Sequence, residues 1–350
     1  MKKDLVSSGP SRLILNRRTL LKGAAGAAAL ASPFVANLTR MSGARAADGK
    51  VVVGMAWPGM QDAVWSTSKQ LLEELAAKSN PPIELVFTAA DMDVAKQASD
   101  VKDLISRKVD VVLVFPIDSK AISSSVKDAH DAGIPVMSFL RQVHTDAKYQ
   151  ADVFVGIDAK WQQYSSGKSV FERMKKANVP INGILWVSGD LRDENSRLRG
   201  VGLQDAAAEV GAKVLQDLPA NWDPQQAAAV LAPALKAYPD ANVLAIASDV
   251  MMSGVQQVLQ DADKWYPNTD PKHLYFSSVD VFAIGIDLLR KKYLDADTLF
   301  DVKGMCQKAV EIMPKLAAGE KFDKDIMIQG PVYTPENVDD PALQSQLWQK

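Results

Sequence analysis

The chain has 350 residues, of which 47% are hydrophobic and 23% are charged, a balance typical of a soluble globular protein large enough for two α/β domains. A single cysteine, Cys306, excludes a disulfide framework and any multi-cysteine metal site. The three histidines are far apart in sequence and have no metal-ligand spacing, so neither a metal nor another cofactor is predicted.

The N-terminal segment predicts export from the cytoplasm. Arg17 and Arg18 precede a small-residue apolar run at 23–35, which is shorter than the roughly 20 residues needed to span a bilayer and suits a signal peptide. Ala44-Arg45-Ala46 provides a cleavage site, and the paired arginines resemble a twin-arginine export signal. Residues 1–46 are therefore predicted to be a signal peptide and the mature protein to be periplasmic. The alternative is a basic amphipathic helix of the mature protein.

Cleavage after Ala46 would make the protein clearly acidic. The formal charge would fall from −2 to −9, with 32 basic against 41 acidic residues remaining. Such a protein has no electrostatic reason to bind nucleic acid. No cysteine lies near the cleavage site, so no lipid anchor is expected. The mature form is predicted to be a free monomer.

From residue 51 onward, short apolar segments alternate with longer amphipathic ones. The pattern predicts helices between successive strands, including 64–78, 94–107 and 120–132. The predicted strands are 51–56, 83–88, 111–115, 135–139, 153–157, 184–187, 214–218, 243–247 and 275–279. Near-continuous apolar strands separated by helices indicate parallel sheets covered on both faces. The predicted fold class is therefore α/β with doubly wound parallel sheets.

Polar and aromatic residues follow these strands from both halves of the chain. Right-handed crossovers place the carboxyl ends of parallel strands at one edge, where ligands of such sheets bind. Arginine and carboxylate groups pair well with sugar hydroxyls, and indole rings pack on the apolar faces of sugars. The sequence therefore predicts a site for a small polyhydroxy ligand. The candidate ligand-binding residues at the strand ends are Trp57, Gln61, Asp62, Trp65, Asp118, Arg141, Asp158, Arg197, Trp222, Ser248, Asp249 and Asp280.

Several of these residues have a purely structural alternative. Helix capping is preferred for the aspartates directly before helical segments, Asp118, Asp190 and Asp223. For Asp249 and Asp280 capping and ligand binding both remain open, and Trp65 and Trp222 could pack in the core instead of lining a pocket. Arg141 directly follows a buried strand, and arginine has no acceptor with which to cap a helix, so ligand contact is preferred there.

A series of short motifs brings a family resemblance into view. In chain order they are Phe115-Pro116-Ile117-Asp118-Ser119, Ala132-Gly133-Ile134-Pro135-Val136 followed by Arg141-Gln142, Arg197-Leu198-Arg199-Gly200, Ala247-Ser248-Asp249 and Ser278-Val279-Asp280. From residue 51 to about 332 the chain resembles the ribose-binding-protein-like sugar-binding proteins of ABC importers. The resemblance implies a type I periplasmic binding protein fold, with two lobes joined by a three-crossover hinge. The implied lobes are 47–157 plus 304–330, and 158–303 plus 331–350.

The resemblance also implies partners and ligand contacts. The permease of an ABC transporter is the expected partner, with a chemoreceptor as a second candidate. By position, the family's aromatic platforms fall on Trp65 and Trp222, its sugar-binding arginines on Arg141 and Arg197, and its late aspartate on Asp280. No function is assigned to residues 334–350, which extend past the match.

The departures from the ribose-binding pattern bear on the ligand. Leu140 replaces an aspartate, Ala159 and Ser248 replace asparagines, and Lys303 replaces a glutamine, so Lys303 is added to the candidate site. These changes predict a less acidic pocket, suited to a polyol, a deoxysugar or an acidic ligand such as a sugar acid. Asp280, which is retained, argues against a strongly anionic ligand.

Enzyme and regulator functions lack their motifs. An exported NAD-dependent oxidoreductase would need a glycine-rich turn after the first strand, but residues 54–59 include bulky side chains. Neither a G-x-S-x-G motif nor a Walker-type loop occurs. A regulator of the lactose-repressor type would need an N-terminal helix-turn-helix in place of the export signal. The sequence therefore predicts a binding protein without enzymatic activity.

Overall fold

The computed structural model describes residues 49–347, which form two six-stranded sheets with flanking helices. The predicted signal peptide at 1–46 lies outside the described residues. Within the described part of the chain, every helix is too short or too polar to cross a membrane.

The first lobe is built on an entirely parallel sheet with the strand order β11-β5-β4-β3-β1-β2. Its strands are β1 (Val51–Trp57), β2 (Ile83–Ala89), β3 (Val111–Val114), β4 (Val136–Leu140), β5 (Val153–Ile157) and β11 (Asp325–Ile328). Its helices are α1 (Ala63–Ala76), α2 (Val94–Ser106), α3 (Ser123–Asp131) and α9 (Val302–Ala317). Apolar residues lie on both faces, because Val53 and Met55 belong to the core that includes α9, while Ala56 packs in the core that includes α2 and α3.

The second lobe repeats this plan with the order β12-β10-β9-β8-β6-β7, in which the β10–β12 pair is antiparallel. Its strands are β6 (Ile184–Ser188), β7 (Val214–Pro219), β8 (Val243–Ile246), β9 (Tyr275–Asp280), β10 (Ala296–Leu299) and β12 (Val332–Tyr333). Its helices are α4 (Ala159–Lys176), α5 (Glu194–Glu209), α6 (Pro224–Ala237), α7 (Met252–Asp261), α8 (Ala283–Arg290) and α10 (Pro341–Gln344), with a 3-10 turn at Asp249–Met251.

All nine predicted strands are confirmed, and three further strands were missed. β10 has two polar residues, Asp297 and Thr298, at positions that are fully buried, so it lacks the apolar run of the other central strands. β11 alternates exposed and half-buried residues, and β12 has only two residues. Both lie at the edges of their sheets, where hydrophobic patterning is weakest.

The chain passes between the lobes three times, as the family resemblance implies. The passages lie between β5 and α4, between β10 and α9, and between β11 and β12. Asp158, in the first passage, caps α4, and its Oδ2 accepts a hydrogen bond of 3.0 Å from Gln329 in the third. The crossovers are therefore linked to one another as well as to the lobes.

The segment after β12 packs on the second lobe. Val338 is buried in that lobe's core, and the Tyr333 hydroxyl donates to the Leu343 carbonyl at 2.6 Å. Arg173 of α4 forms an ion pair with Glu336 at 2.5 Å. Residues 334–347 thus contribute apolar and polar contacts to one lobe.

Candidate ligand-binding cleft

The two lobes enclose a cavity of about 90 Å³ at the carboxyl ends of their strands. Such an edge is where open parallel sheets place their ligand sites. The first lobe contributes Asp62, Val64, Trp65, Phe115 and Arg141. The second lobe and the adjoining crossover contribute Asp193, Asn195, Arg199, Trp222, Ser248, Val250, Asp280, Phe282 and Phe300.

Asp62 and Trp65 enter the cleft from the start of α1. Asp62 is the N-cap residue, and its Oδ1 accepts a hydrogen bond of 2.7 Å from the Val64 amide. Trp65, in the first turn of the helix, meets the Phe115 ring edge-on with ring centres 6.3 Å apart. A short loop and a capped helix start therefore hold one carboxylate and one indole at the cleft wall.

Arg141 follows a backbone turn at the end of β4. Leu140 has a φ of 60°, a left-handed conformation that is uncommon for a non-glycine residue. The Arg141 Nη1 donates to the Pro116 carbonyl at 2.6 Å, and its Nη2 pairs with the Asp193 carboxylate of the second lobe at 2.5 Å. The guanidinium lies over the Phe115 ring, 5.2 Å from its centre. Arg141 is thus fixed by contacts from both lobes.

Arg199, on α5, is held more extensively. Its Nη2 donates to Gln162 Oε1 at 2.7 Å and to Asp280 Oδ1 at 2.8 Å, and its Nη1 donates to a backbone carbonyl at 2.6 Å. The guanidinium lies 5.7 Å from the centre of the Trp222 ring and 5.8 Å from that of Phe300. Only 3% of the residue is exposed, so it is a desolvated, paired cation in the cleft wall.

Asp280, the ion-pair partner of Arg199, lies in an unfavourable electrostatic environment and has an uncommon backbone conformation. Burial raises the pKa of its carboxyl to about 7, with the neighbouring carboxyls of Asp249 and Asp62 adding to the effect of burial. The charge of Arg199 and a hydrogen bond from Ser248 oppose the shift. Asp280 has a φ of 109° and the β-branched Val281 a φ of 57°. Such conformations persist only where surrounding structure enforces them.

A buried pair of carboxyl groups enforces that conformation. The Phe282 amide donates to Asp249 Oδ2 at 2.8 Å, and the Val281 amide donates to Asp297 Oδ1 at 3.2 Å. Burial raises the pKa of both aspartates, and the charge of the Asp249 carboxyl raises that of Asp297 further. Asp249 and Asp297 therefore position the loop that carries Asp280 and Phe282.

Trp222 also depends on special backbone geometry. Asn221 and Trp222, between β7 and α6, have φ values of 51° and 62°. The indole ring packs so closely on Gly189 that a Cβ there would lie 2.2 Å from ring carbons. The glycine after β6 is therefore required for this position of the indole.

Three buried polar atoms of the cleft residues lack a protein partner. They are Arg141 Nε, Asn195 Oδ1 and Trp222 Nε1. More than about 90% of buried polar groups in proteins are hydrogen-bonded, so these three atoms are available to pair with a bound polar molecule. Together they offer two donors and one acceptor beside aromatic rings. No group of three or more histidine, cysteine, aspartate or glutamate residues suited to a metal ion occurs among residues 49–347. The arrangement is suited to binding a small polar ligand.

The model of the periplasmic binding protein domain family matches residues 53–321. The chain belongs to this family. A putative rhizopine-binding protein of Rhizobium meliloti is 25% identical over 75% of this chain and 83% of its own length. A ribose import binding protein of Salmonella typhimurium is 27% identical over 68% of this chain and 75% of its own. A solute-binding protein structure from Bacillus halodurans with bound myo-inositol has a TM-score of 0.71 at 24% identity, covering 86% of this chain and 98% of that one.

Family membership agrees with the two-lobed structure and places the protein in a class of known role. The family model describes a binding protein domain, and both relatives are named as binding proteins rather than enzymes, which decides against the oxidoreductase alternative. This periplasmic binding protein is accordingly a solute-binding protein with a periplasmic or otherwise extracytoplasmic location.

The structure brings six of the predicted site residues together in the cleft: Asp62, Trp65, Arg141, Trp222, Ser248 and Asp280. The other seven lie outside the cleft lining, and each has a different environment. Trp57 is fully buried in the first-lobe core, where it packs on Phe87, Phe115 and Phe139. Gln61 is exposed, and its side chain accepts a hydrogen bond from the Met60 amide.

Three predicted carboxylates have structural roles instead. Asp118 caps a turn by accepting from the Lys120 amide at 2.8 Å, as the capping alternative predicted. Asp158 belongs to the linked crossovers, and Asp249 lies beneath the cleft in the buried carboxyl pair. Lys303 is exposed on α9 and does not line the cavity.

The arginine of α5 that lines the cleft is Arg199, which corrects the prediction of Arg197. Residues two apart lie on different faces of a helix, and Arg197 pairs with Glu194 at 2.6 Å outside the cavity. Arg199 shares its face with the buried residues Gly202, Leu203 and Ala206, at spacings of three, four and seven. That helical pattern distinguishes the two arginines in the sequence.

Other cleft residues were missed for identifiable reasons. Asp193 and Asn195 lie at the start of α5, where aspartate and asparagine commonly cap helices, so their residue type does not mark them as cleft residues. Phe115 directly follows β3, but only polar residues and tryptophans were considered there. Phe300 directly follows β10, a strand that was not predicted.

Proposed function

We propose that this protein is the solute-binding component of an ABC importer and captures a sugar or sugar alcohol by closure of its two lobes. The observation that carries the proposal is the set of buried atoms without partners, Arg141 Nε, Asn195 Oδ1 and Trp222 Nε1, which come from both lobes. A polyhydroxy ligand supplies donors and acceptors for these atoms, and its apolar face suits the aromatic rings. The relatives named for ribose and the neighbour with myo-inositol support this ligand class.

The charges of the cleft disfavour an acidic ligand. That alternative relied on Arg141, Arg197 and Lys303, but the last two lie outside the cavity. Both guanidinium groups in the cleft already pair with aspartates, Arg141 with Asp193 and Arg199 with Asp280. Although Leu140 is apolar, Asp193 supplies a carboxylate to Arg141 from the other lobe.

Direct contacts between the lobes support a closure mechanism. Besides the Arg141–Asp193 pair, the Asn195 Nδ2 donates to the Leu140 carbonyl at 3.0 Å, and the Ser119 amide donates to the Arg192 carbonyl at 3.0 Å. A ligand that contacts both lobes stabilises the closed form by its differential affinity for that form. The three crossovers would act as the hinge.

The proposal extends to the cellular setting. Export by the twin-arginine route, directed by residues 1–46, would deliver a free monomer to the periplasm. There, the closed lobes would present a composite surface to an ABC permease. A chemoreceptor is a second candidate partner for that surface.

A thermal-shift screen of the mature protein against sugars and polyols tests the binding function. A ligand at 1,000 times its dissociation constant stabilises the native state by about 4 kcal/mol, which corresponds to a melting-temperature rise of roughly 8–16 °C. Trp222→Ala should abolish the shift, whereas Trp161→Ala, which changes a half-buried tryptophan of the same lobe outside the cleft, should retain it. Absence of a shift with every polyhydroxy compound would refute the proposal.

A further inference from the structure

The cleft has more carboxylates than cations. Its lining includes three aspartates, Asp62, Asp193 and Asp280, but two arginines, Arg141 and Arg199. Each arginine is bound to one aspartate, at 2.5 Å for the Arg141–Asp193 pair and 2.8 Å for the Arg199–Asp280 pair. Asp62 remains without an ion-pair partner among residues 49–347. A negative charge in a desolvated cleft is costly unless a cation compensates it.

The surroundings of Asp62 also leave its charge poorly compensated. Burial raises the pKa of its carboxyl, and the amides of Val64 and Trp65 together with the charge of Arg141 offset this effect only in part. Its Oδ1 accepts a hydrogen bond from the Val64 amide at 2.7 Å, and within residues 49–347 no side chain donates a hydrogen bond to the carboxylate. The Asp249 carboxyl behind Asp280 raises the pKa of Asp280, so it adds to the negative potential on this side of the cleft.

Helix capping accounts for the acceptor oxygen of Asp62 but not for its negative charge. Asp93 caps α2 in the same lobe in the same way, with its Oδ1 accepting from the Lys96 amide at 2.9 Å. Asp93 is exposed and lies outside the cavity lining. An asparagine side chain has an equivalent acceptor oxygen and caps helices about as well as aspartate. The cap therefore requires an acceptor but not a charge.

We infer that the ligand is an amino-substituted sugar or polyol, whose single protonated amino group binds the Asp62 carboxylate. This inference rests on the proposed function and specifies its ligand class. Hydroxyl groups of the same ligand would satisfy Arg141 Nε and Trp222 Nε1, which need acceptors, and Asn195 Oδ1, which needs a donor. The aromatic rings of Trp65 and Phe115 beside Asp62 also favour a cation over an anion.

Isothermal titration calorimetry at pH 7.5, above the pKa of about 7 to which burial raises the Asp280 carboxyl, tests this inference with matched ligand pairs. The pairs are glucose with glucosamine, sorbitol with 1-amino-1-deoxysorbitol, and myo-inositol with a mono-amino inositol. The mature wild-type protein should bind the amino member of at least one pair roughly 10- to 100-fold more tightly than its hydroxyl counterpart, as expected for a charge-assisted hydrogen bond. Asp62→Asn should remove that preference, and Asp93→Asn should leave it unchanged.

The possible outcomes separate this inference from the proposed function. Binding of hydroxyl compounds without a preference for their amino counterparts overturns the inference and leaves the proposed function standing. A preference that survives in Asp62→Asn also overturns it, because the amino group would then bind elsewhere. Failure of all six compounds to bind would count against both. An unchanged melting temperature of unliganded Asp62→Asn would show that the fold is retained.

Discussion

Replacing Arg199 with alanine should destabilise the second lobe as well as the ligand site. The change leaves the Asp280 carboxylate, on a residue 5% exposed, without its cation, and it removes the donors bound to Gln162. Removing one partner of a buried ion pair costs about 3–5 kcal/mol. At roughly 2–4 °C per kcal/mol, the melting temperature should fall by about 6–20 °C. Because the pKa of Asp280 is already raised to about 7, its protonation should reduce the loss at low pH.

Arg197→Ala is the matched control, two residues away on the same helix. Its side chain is 42% exposed, and its buried partner Glu194 keeps its contacts with His144 and Thr145 when Arg197 is removed. The expected fall in melting temperature is therefore smaller than for Arg199→Ala. Calorimetric unfolding at pH 5.5 and pH 8, together with ligand titration, would measure both effects. Arg199→Ala should lose ligand binding, and Arg197→Ala should keep it.

Two results would refute this reasoning. The first is similar melting temperatures for the two variants, which would mean that the Arg199–Asp280 pair is not an important stabilising contact. The second is loss of ligand affinity in Arg197→Ala with retention in Arg199→Ala, which would restore the assignment made from the sequence.

Three further predictions concern pH, packing and thiol reactivity. The melting temperature of the unliganded protein should fall as the pH rises from 5 to 8: burial raises the pKa of Asp280 to about 7, so the native state holds a proton that the unfolded chain releases. Burial lowers the pKa of His273, but a hydrogen bond to the buried Asp295 helps raise it overall, so this residue also makes the native state less stable as the pH rises. A constant or rising melting temperature would contradict this account. Gly189→Ala should displace the Trp222 ring and weaken ligand binding at least tenfold by titration, since the new Cβ would lie 2.2 Å from ring carbons. Cys306 is fully buried, and burial raises the pKa of its thiol. A thiol reagent should therefore label it only when the protein unfolds. Rapid labelling of the native protein would contradict this prediction and would show that α9 opens readily.

The strand pattern allowed most of the fold to be predicted from the sequence. Buried parallel strands need apolar residues on both faces, and this requirement is visible in segments such as Val111–Val114. β10 was missed because tertiary contacts compensate its polar residues: Asp297 accepts from the Val281 amide, and Thr298 bonds with Ser165 of α4. Such compensation involves residues more than ten positions away, so it leaves no local pattern.

The candidate site was predictable to the extent that its residues directly follow strands. Arg141, Trp222 and Asp280 were identified in this way, because the carboxyl ends of parallel strands meet at one edge. Sequence position could not show whether a side chain faces the cleft or the core. Trp57 ends β1 and Asp249 follows β8, but packing places both away from the cavity.

The sequence by itself determined the α/β class, the edge of the sheets at which the site lies and the polar, aromatic character of that site, because these follow from periodicity and strand order. Only the tertiary structure decided the charge balance of the cleft. Asp193 pairs with Arg141, 52 positions away, and Asp280 pairs with Arg199, 81 positions away. Because both arginines are paired in this way, the charge of Asp62 is left uncompensated. Ion pairing depends on distances of a few ångströms between side chains, and those distances are fixed by how the helices and loops pack rather than by the local sequence.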